Sequence, residues 1–206
     1  MSTIRLPAEE RRAALLETAC RLFSEGSYRG TTTADIAREA GVTEPVLYRH
    51  FASKRDLYLA CLESAWAGAR EMWDEALAAE PDPGLWIATM GRSFIQSEAE
   101  RPLISHLWVQ AIAEGSEDEV IGAYMTEHMR EVHAYAADVI RRAQQAGGIA
   151  SDRDPGAEAW IFIALGLLTM VDRVLGGVMR ECWPEIRSAR LRWMTGSDRP
   201  DFIVQD

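Results

Sequence analysis

Residues 32–57, TTADIAREAGVTEPVLYRHFASKRDL, decide how the rest of the chain is read. Thr32 followed by Asp35 is a variant of the capping box, which marks a helix start. Ile36, Ala37 and Ala40 give that helix one small apolar face. Gly41 supplies the left-handed backbone that a tight exit needs. Thr43 is placed to cap a second helix, and Pro45 lies in its first turn, where a missing N–H costs little. At roughly 100° per residue, Leu47 and Phe51 turn inward while Pro45, Val46, Tyr48 and Arg49 turn outward. Two short helices joined by a glycine turn, the second showing such side chains to solvent, make a helix-turn-helix.

This spacing resembles the TetR family of transcriptional regulators. The likeness is carried by Thr32, Ile36-Ala37, Ala40-Gly41-Val42, Leu47-Tyr48, His50-Phe51, Lys54 and Leu57, and is specific over residues 8 to 60. Pro45, where many members carry Gly, and Glu44, an acid facing a polyanion, depart from the common pattern. The resemblance implies that Tyr48, Lys54 and His50 contact the DNA backbone. For His50, packing or capping is an equal alternative. Thr32 and Thr33 can offer hydroxyl and N–H groups to phosphate at the start of the first helix. Thr43, Glu44, Pro45, Val46 and Arg49 are the candidates for reading bases. Val46 suits a thymine methyl and Glu44 a cytosine amino group. Glu44 is equally a first-turn acid that favours the helix dipole.

The 206 residues carry a formal charge of −10 and are 48% hydrophobic, which excludes a general nucleic-acid coat and a disordered chain. Residues 1–60 hold nine basic against eight acidic side chains, and the remainder 13 against 24. A near-neutral head on an acidic body fits a protein that meets DNA at one end. The three cysteines are too scattered for a disulfide frame or a zinc site. No signal segment is read at the N-terminus, and the longest apolar run, Ala159–Val171, has 13 residues where a span needs about 20. A cytoplasmic, reducing location without a membrane partner is expected.

The period along the chain predicts an all-α protein of about nine helices, with no strand pattern. The first helix starts near Pro7 and stops at Gly26. The fourth follows Ser53 as cap and runs towards Glu80, and Pro81-Asp82-Pro83-Gly84 breaks the chain. A fifth spans Leu85–Glu98 and a sixth begins at Pro102. A long seventh is capped by Ser116 and closed by Gly147-Gly148. The eighth follows Asp154-Pro155 and the ninth starts near Pro184. Residues 1–53 are read as a helix-turn-helix DNA-binding domain, 54–195 as a ligand-binding and dimerisation domain, and 196–206 as a mobile tail. The family resemblance implies that the fourth helix links pocket and head.

All seven tryptophans lie outside the head. Aromatic residues at helical spacing are more often core than pocket, but the resemblance implies a cavity enclosed by helices four to eight. Its expected lining is Trp73, Trp86, Met90, Phe94, Trp108, Tyr124 and Met125, with Gln96, Gln110 and His128 as polar anchors for an apolar or aromatic effector. In the eighth helix, Trp160, Ile161, Ile163, Ala164, Leu167, Leu168 and Val171 cover nearly every face. A second copy of the chain is the expected cover, and the resemblance likewise implies a four-helix dimer interface. His128 and His133 diverge by about 140°, so no metal site is read, and no catalytic constellation or cofactor cradle appears. The expectation is a non-enzymatic, homodimeric regulator, most simply a repressor, that a small effector releases from palindromic operator DNA. A constitutive DNA-binding dimer, whose body only dimerises or recruits a protein, is the alternative.

Overall fold

The computed structural model describes residues 7–100 and 103–196. Within them the chain forms nine α-helices and one 3-10 turn, with no strand. They are α1 (Ala8–Glu25), α2 (Thr33–Glu39), α3 (Glu44–Leu47), α4 (Lys54–Ala79), the turn η1 (Pro83–Leu85), α5 (Trp86–Glu100), α6 (Leu103–Glu114), α7 (Glu119–Gln145), α8 (Pro155–Val174) and α9 (Trp183–Thr195). The expected tail beyond Gly196, and Pro102 as the start of the sixth helix, lie outside the described residues.

Local signals set most helix ends. The Thr32 hydroxyl accepts from Asp35 N at 3.1 Å while Asp35 Oδ2 accepts from Thr32 N at 3.3 Å, a reciprocal box. Ser53 caps α4 through Asp56 N at 3.0 Å, and Asp154 caps α8 through Ala157 N at 2.7 Å. Gly41 takes φ 66°, the left-handed turn between α2 and α3. Two expected caps fall elsewhere. Thr43 stands at the N-cap position of α3 with no side-chain cap bond. The start of α7 is capped by Asp118, whose Oδ1 accepts from Val120 N and Ile121 N, while the Ser116 hydroxyl donates back to Ala113 O. Asp118 lies one residue before the first helical position, so it reaches the unpaired N–H groups that Ser116 does not.

The helices group into two compact units. The first holds the described residues up to Arg70 together with Ser97–Thr126, the second Glu71–Gln96 together with the chain from Glu127. Both α4 and α7 contribute to each unit.

In the first unit, α1 packs on α2 and α6, and α2 on α3. Leu15, Phe23, Ile36, Leu47, Leu57 and Leu62 are fully buried there. Tyr58 sits among them, edge-on to Phe23 at 5.1 Å, and its hydroxyl donates to Leu107 O at 3.1 Å. Cys20 and Cys61 are buried in the same layer, and burial pushes the Cys61 thiol well up, assisted by the neighbouring Cys20. Side chains of α6 also complete the end of α1. Gln110 Nε2 donates to Phe23 O and Gly26 O, both at 3.1 Å, and its Oε1 accepts from Tyr28 N at 3.2 Å. One turn earlier, His106 Nδ1 meets Ser24 O at 3.1 Å. Carbonyls that a helix terminus leaves without intrahelical donors are thus satisfied by a helix far away in sequence. Arg29 pairs with Glu114 and Glu117, and Arg55 with Asp118, so the turn between α6 and α7 holds both the α1–α2 loop and the start of α4.

In the second unit, Trp73 is the centre of an aromatic cluster. It stacks on Tyr135 at 5.7 Å, meets Phe162 edge-on at 6.0 Å and Phe94 at 6.5 Å, and donates its indole N–H to Met90 O at 3.1 Å. The turn η1 approaches Gly148 so closely that a Cβ there would stand 2.3 Å from Gly84 N. Only glycine fits that position.

Helix α8 is held to α9 by two buried carboxylates. Glu158 accepts from the Trp193 indole at 2.9 Å and pairs with Arg190. Asp172 accepts from the Trp183 indole and from Met179 N, both at 2.8 Å. Among the described helices only α8 is long and apolar enough by composition to cross a membrane. Its buried Glu158 and Asp172 instead meet partners on α9 and in the loop before it. Ala159, Ile163 and Met170 form its inner stripe, so Ile163, expected at a dimer face, lies inside its own chain. Trp160, Ala164, Leu168, Val171 and Leu175 recur at steps of three or four and stay exposed, as does Ile161, and Leu167 is half-buried. In the loop beyond, Leu175 is 63% and Val178 73% exposed.

Candidate nucleic-acid interface

The candidate reading surface is built by α2, α3 and the start of α4. Helix α3 has four residues, continued by a tight turn in which Arg49 N bonds Val46 O and His50 N bonds Leu47 O. Leu47 and Phe51 are its buried anchors, as their spacing predicts. Thr43, Pro45 and Arg49 are exposed, Tyr48 is 46% exposed, and Glu44, Val46 and His50 are half-buried. The expected base-reading residues therefore share one short element held from beneath by Leu47.

Thr33 is the exception to the expected outward set. It is only 8% exposed, and its hydroxyl points into the motif rather than towards a phosphate. Thr33 Oγ1 donates to Glu44 Oε1 at 2.6 Å and lies 3.1 Å from the Tyr48 hydroxyl. A carboxylate only accepts, so the single Thr33 proton goes to Glu44, and the Tyr48 O–H must donate to Thr33. Thr32 is likewise engaged: its Oγ1 lies 2.5 Å from Asp35 Oδ2 within the capping box. Hydrogen bonds from Thr32 and Arg38 hold the Asp35 carboxyl below its usual range.

Lys54 opens α4, with Nζ 4.7 Å from the centre of the Tyr28 ring, a cation–π contact. Partial burial lowers its pKa, against an opposing pull from Glu114. Beside it, Arg12 covers the face of Phe51 at 4.8 Å. Arg12 was not among the candidates: it lies on the preceding helix, and no local spacing pairs it with Phe51.

The expected effector residues divide between the two units. Trp108, Gln110, Tyr124 and Met125 belong to the first. The Gln110 amide is committed there to the end of α1, and Tyr124 donates to Glu63 at 3.2 Å. Trp73, Trp86, Met90, Phe94, Gln96 and His128 belong to the second. The Trp86 indole donates to Glu80 O at 3.0 Å, and burial lowers the pKa of His128 to about 4. Of these six, Gln96 lines an open groove of about 280 Å³ with Ala76, Ala79, Glu80, Thr89, Arg92 and Ser93.

A capped helix, a left-handed glycine, and a short second helix with its polar side outward define a helix-turn-helix protein. Residues 15–61 match the family described as bacterial regulatory proteins, tetR family. The chain is 49% identical over 59 residues to the HTH-type transcriptional activator FasR of Mycolicibacterium smegmatis, a match covering 29% of this chain and 27% of that relative. A TetR-family regulator from Rhodococcus sp. has the same fold, with a TM-score of 0.75 at 24% identity over 89% of this chain and 95% of that one. A regulator from Saccharomonospora viridis, solved in complex with choline, aligns with a TM-score of 0.72 at 23% identity, covering 82% and 88% of the two chains. The tetR-family match thus covers the helix-turn-helix and its flanks, residues 15–61, and the described fold as a whole is that of TetR-family regulators.

Proposed function

We propose that this chain is a homodimeric transcription regulator, most simply a repressor, that binds palindromic operator DNA and is released by a small apolar or aromatic effector. The observation that carries this reading is the outward set Thr43, Pro45, Tyr48 and Arg49, on and flanking a short helix anchored by a fully buried Leu47. The functional boundary is placed at residue 53, with α1 to α3 as reader. One reader makes too few contacts for specific binding, and two related by a two-fold axis address half-sites about one helical turn or more apart. The exposed seam Trp160, Ile161, Ala164, Leu168 and Val171, with the half-buried Leu167, is the face assigned to the second copy. The effector is assigned to the second unit, around Trp73, Trp86, Met90, Phe94, Gln96 and His128. No enzymatic role is assigned, and the cytoplasm is the compartment that operator binding requires.

The constitutive alternative draws on one observation, the direct packing of Trp73 against three other rings. Fluorescence anisotropy on DNA from upstream of the chain's own and neighbouring genes, across a salt series, tests the proposal. Tight, salt-dependent binding to one palindromic segment, weakened by an apolar compound, is expected. Tight binding that no compound weakens would favour the constitutive dimer, and weak sequence-blind binding would overturn operator recognition.

A further inference from the structure

Glu44 is an acid on a face that must approach phosphates, where an unpaired carboxylate is repelled. It is not loose: Thr33, itself almost wholly buried, donates to its Oε1 at 2.6 Å and is braced by the Tyr48 hydroxyl at 3.1 Å. The relay joins the first residue of α2 to the first residue of α3 and the residue that ends it. Both turns of the motif therefore fix one carboxylate. Carboxylates keep acceptor capacity after one bond, so Glu44 can take a second donor.

We propose that Thr33 is a positioning residue for sequence reading, holding the Glu44 carboxylate so that it selects a cytosine at one position of each half-site; this rests on the operator reading above. In the major groove only cytosine N4 and adenine N6 present donors. Adenine sets the N7 acceptor beside its amino group on its own ring, which repels the other carboxylate oxygen, whereas cytosine carries C5–H at that place and its neighbouring acceptor is the paired guanine O6, already bonded to N4. Guanine and thymine present O6, N7 or O4 to the acid and are rejected. A free glutamate would lose its rotamer freedom on meeting the base. The Thr33 bond takes that loss at folding, which leaves more of the contact for discrimination.

Wild-type protein would first select a binding sequence from random DNA. Each base pair of the selected half-site is then substituted symmetrically, and affinity is measured by anisotropy. One position is expected to prefer cytosine, with replacement by thymine weakening binding on the order of tenfold. Thr33→Val should bring that ratio towards unity, and Thr33→Ser, which keeps the hydroxyl, should retain it. Glu44→Gln, a near-isosteric change that keeps an acceptor for Thr33 at this half-buried position, should move the preference to adenine, which a carboxamide pairs in bidentate fashion. A Thr33→Val protein with the wild-type ratio would overturn the role of Thr33. An unmoved preference in Glu44→Gln would overturn the role of Glu44 even if Thr33→Val fails to fold. Failure of the wild type to select any sequence would instead overturn the operator reading, and this inference with it.

Discussion

Lys54 is the only lysine beside 21 arginines, and it lies at the edge of the reading surface. Its ammonium rests over the Tyr28 ring, a contact a phosphate can replace at small cost. Lys54→Ala is expected to weaken binding to all sequences alike and to reduce the slope of log affinity against log salt by about one. Unchanged affinity and slope would remove it from the surface. His128 allows a second prediction, in the acid range. Burial lowers its pKa from 6.5 to about 4, so between those values the unfolded chain binds the proton and the folded chain does not. The resulting stability is fully present above pH 6.5 and is lost as pH falls towards 4, by about 1.4 kcal/mol per unit. Denaturant melts of His128→Leu should show this part of the pH slope removed, whereas an undiminished slope would assign it to other groups.

Among the helices, α6 joins the reader although Gln110 lies 53 residues beyond Leu57, the end of the 32–57 stretch on which the motif is built. Its Gln110 satisfies two carbonyls and one N–H around the end of α1. Gln110→Ala leaves those groups without their partner, and the first unit should lose about 1–3 kcal/mol. A fall in melting temperature with unchanged base preference is expected; an unchanged melting temperature would show that water replaces the amide. The contrast with α2 shows how far the sequence can be read. The Thr32–Asp35 box, Gly41, Ser53 and Asp154 act within three residues of themselves, so the chain declares them locally. Gln110 acts across 82 to 87 residues, and Thr33 across 11 and 15, through docking angles that no local period encodes. Sequence puts Thr33 in the motif but not its direction, because a hydroxyl at a helix start reaches solvent or a ligand as readily as the neighbouring helix. Ser116 lost to Asp118 because two cap residues stood close together and only one reached the free N–H groups.

For the whole molecule, the decisive surface is the seam on α8. Its inner stripe, Ala159, Ile163 and Met170, was not separable from its outer one by sequence, since nearly every position is apolar. Packing against the chain's own core divides them. Val171→Asp places a charge in the exposed seam without disturbing that inner stripe, so the fold should persist while the dimer dissociates. Sedimentation velocity would show the monomer, and operator affinity should fall by orders of magnitude as one of two readers is lost. A stable dimer with this change would move the interface elsewhere. On the proposed operator reading, the acidic balance of the body, −11 beyond residue 60 (13 basic against 24 acidic), would keep the rest of the surface away from the duplex.

The polar cap that α6 places on α1 also bears on engineering. A cut after residue 53 looks natural from the motif, yet it would strip the reader of His106, Gln110, Glu114 and Glu117 together. Chimaeras that transplant residues 1–53 onto a foreign sensor would inherit bare carbonyls at the end of α1, while those that carry α6 and the following turn along would keep the joint intact.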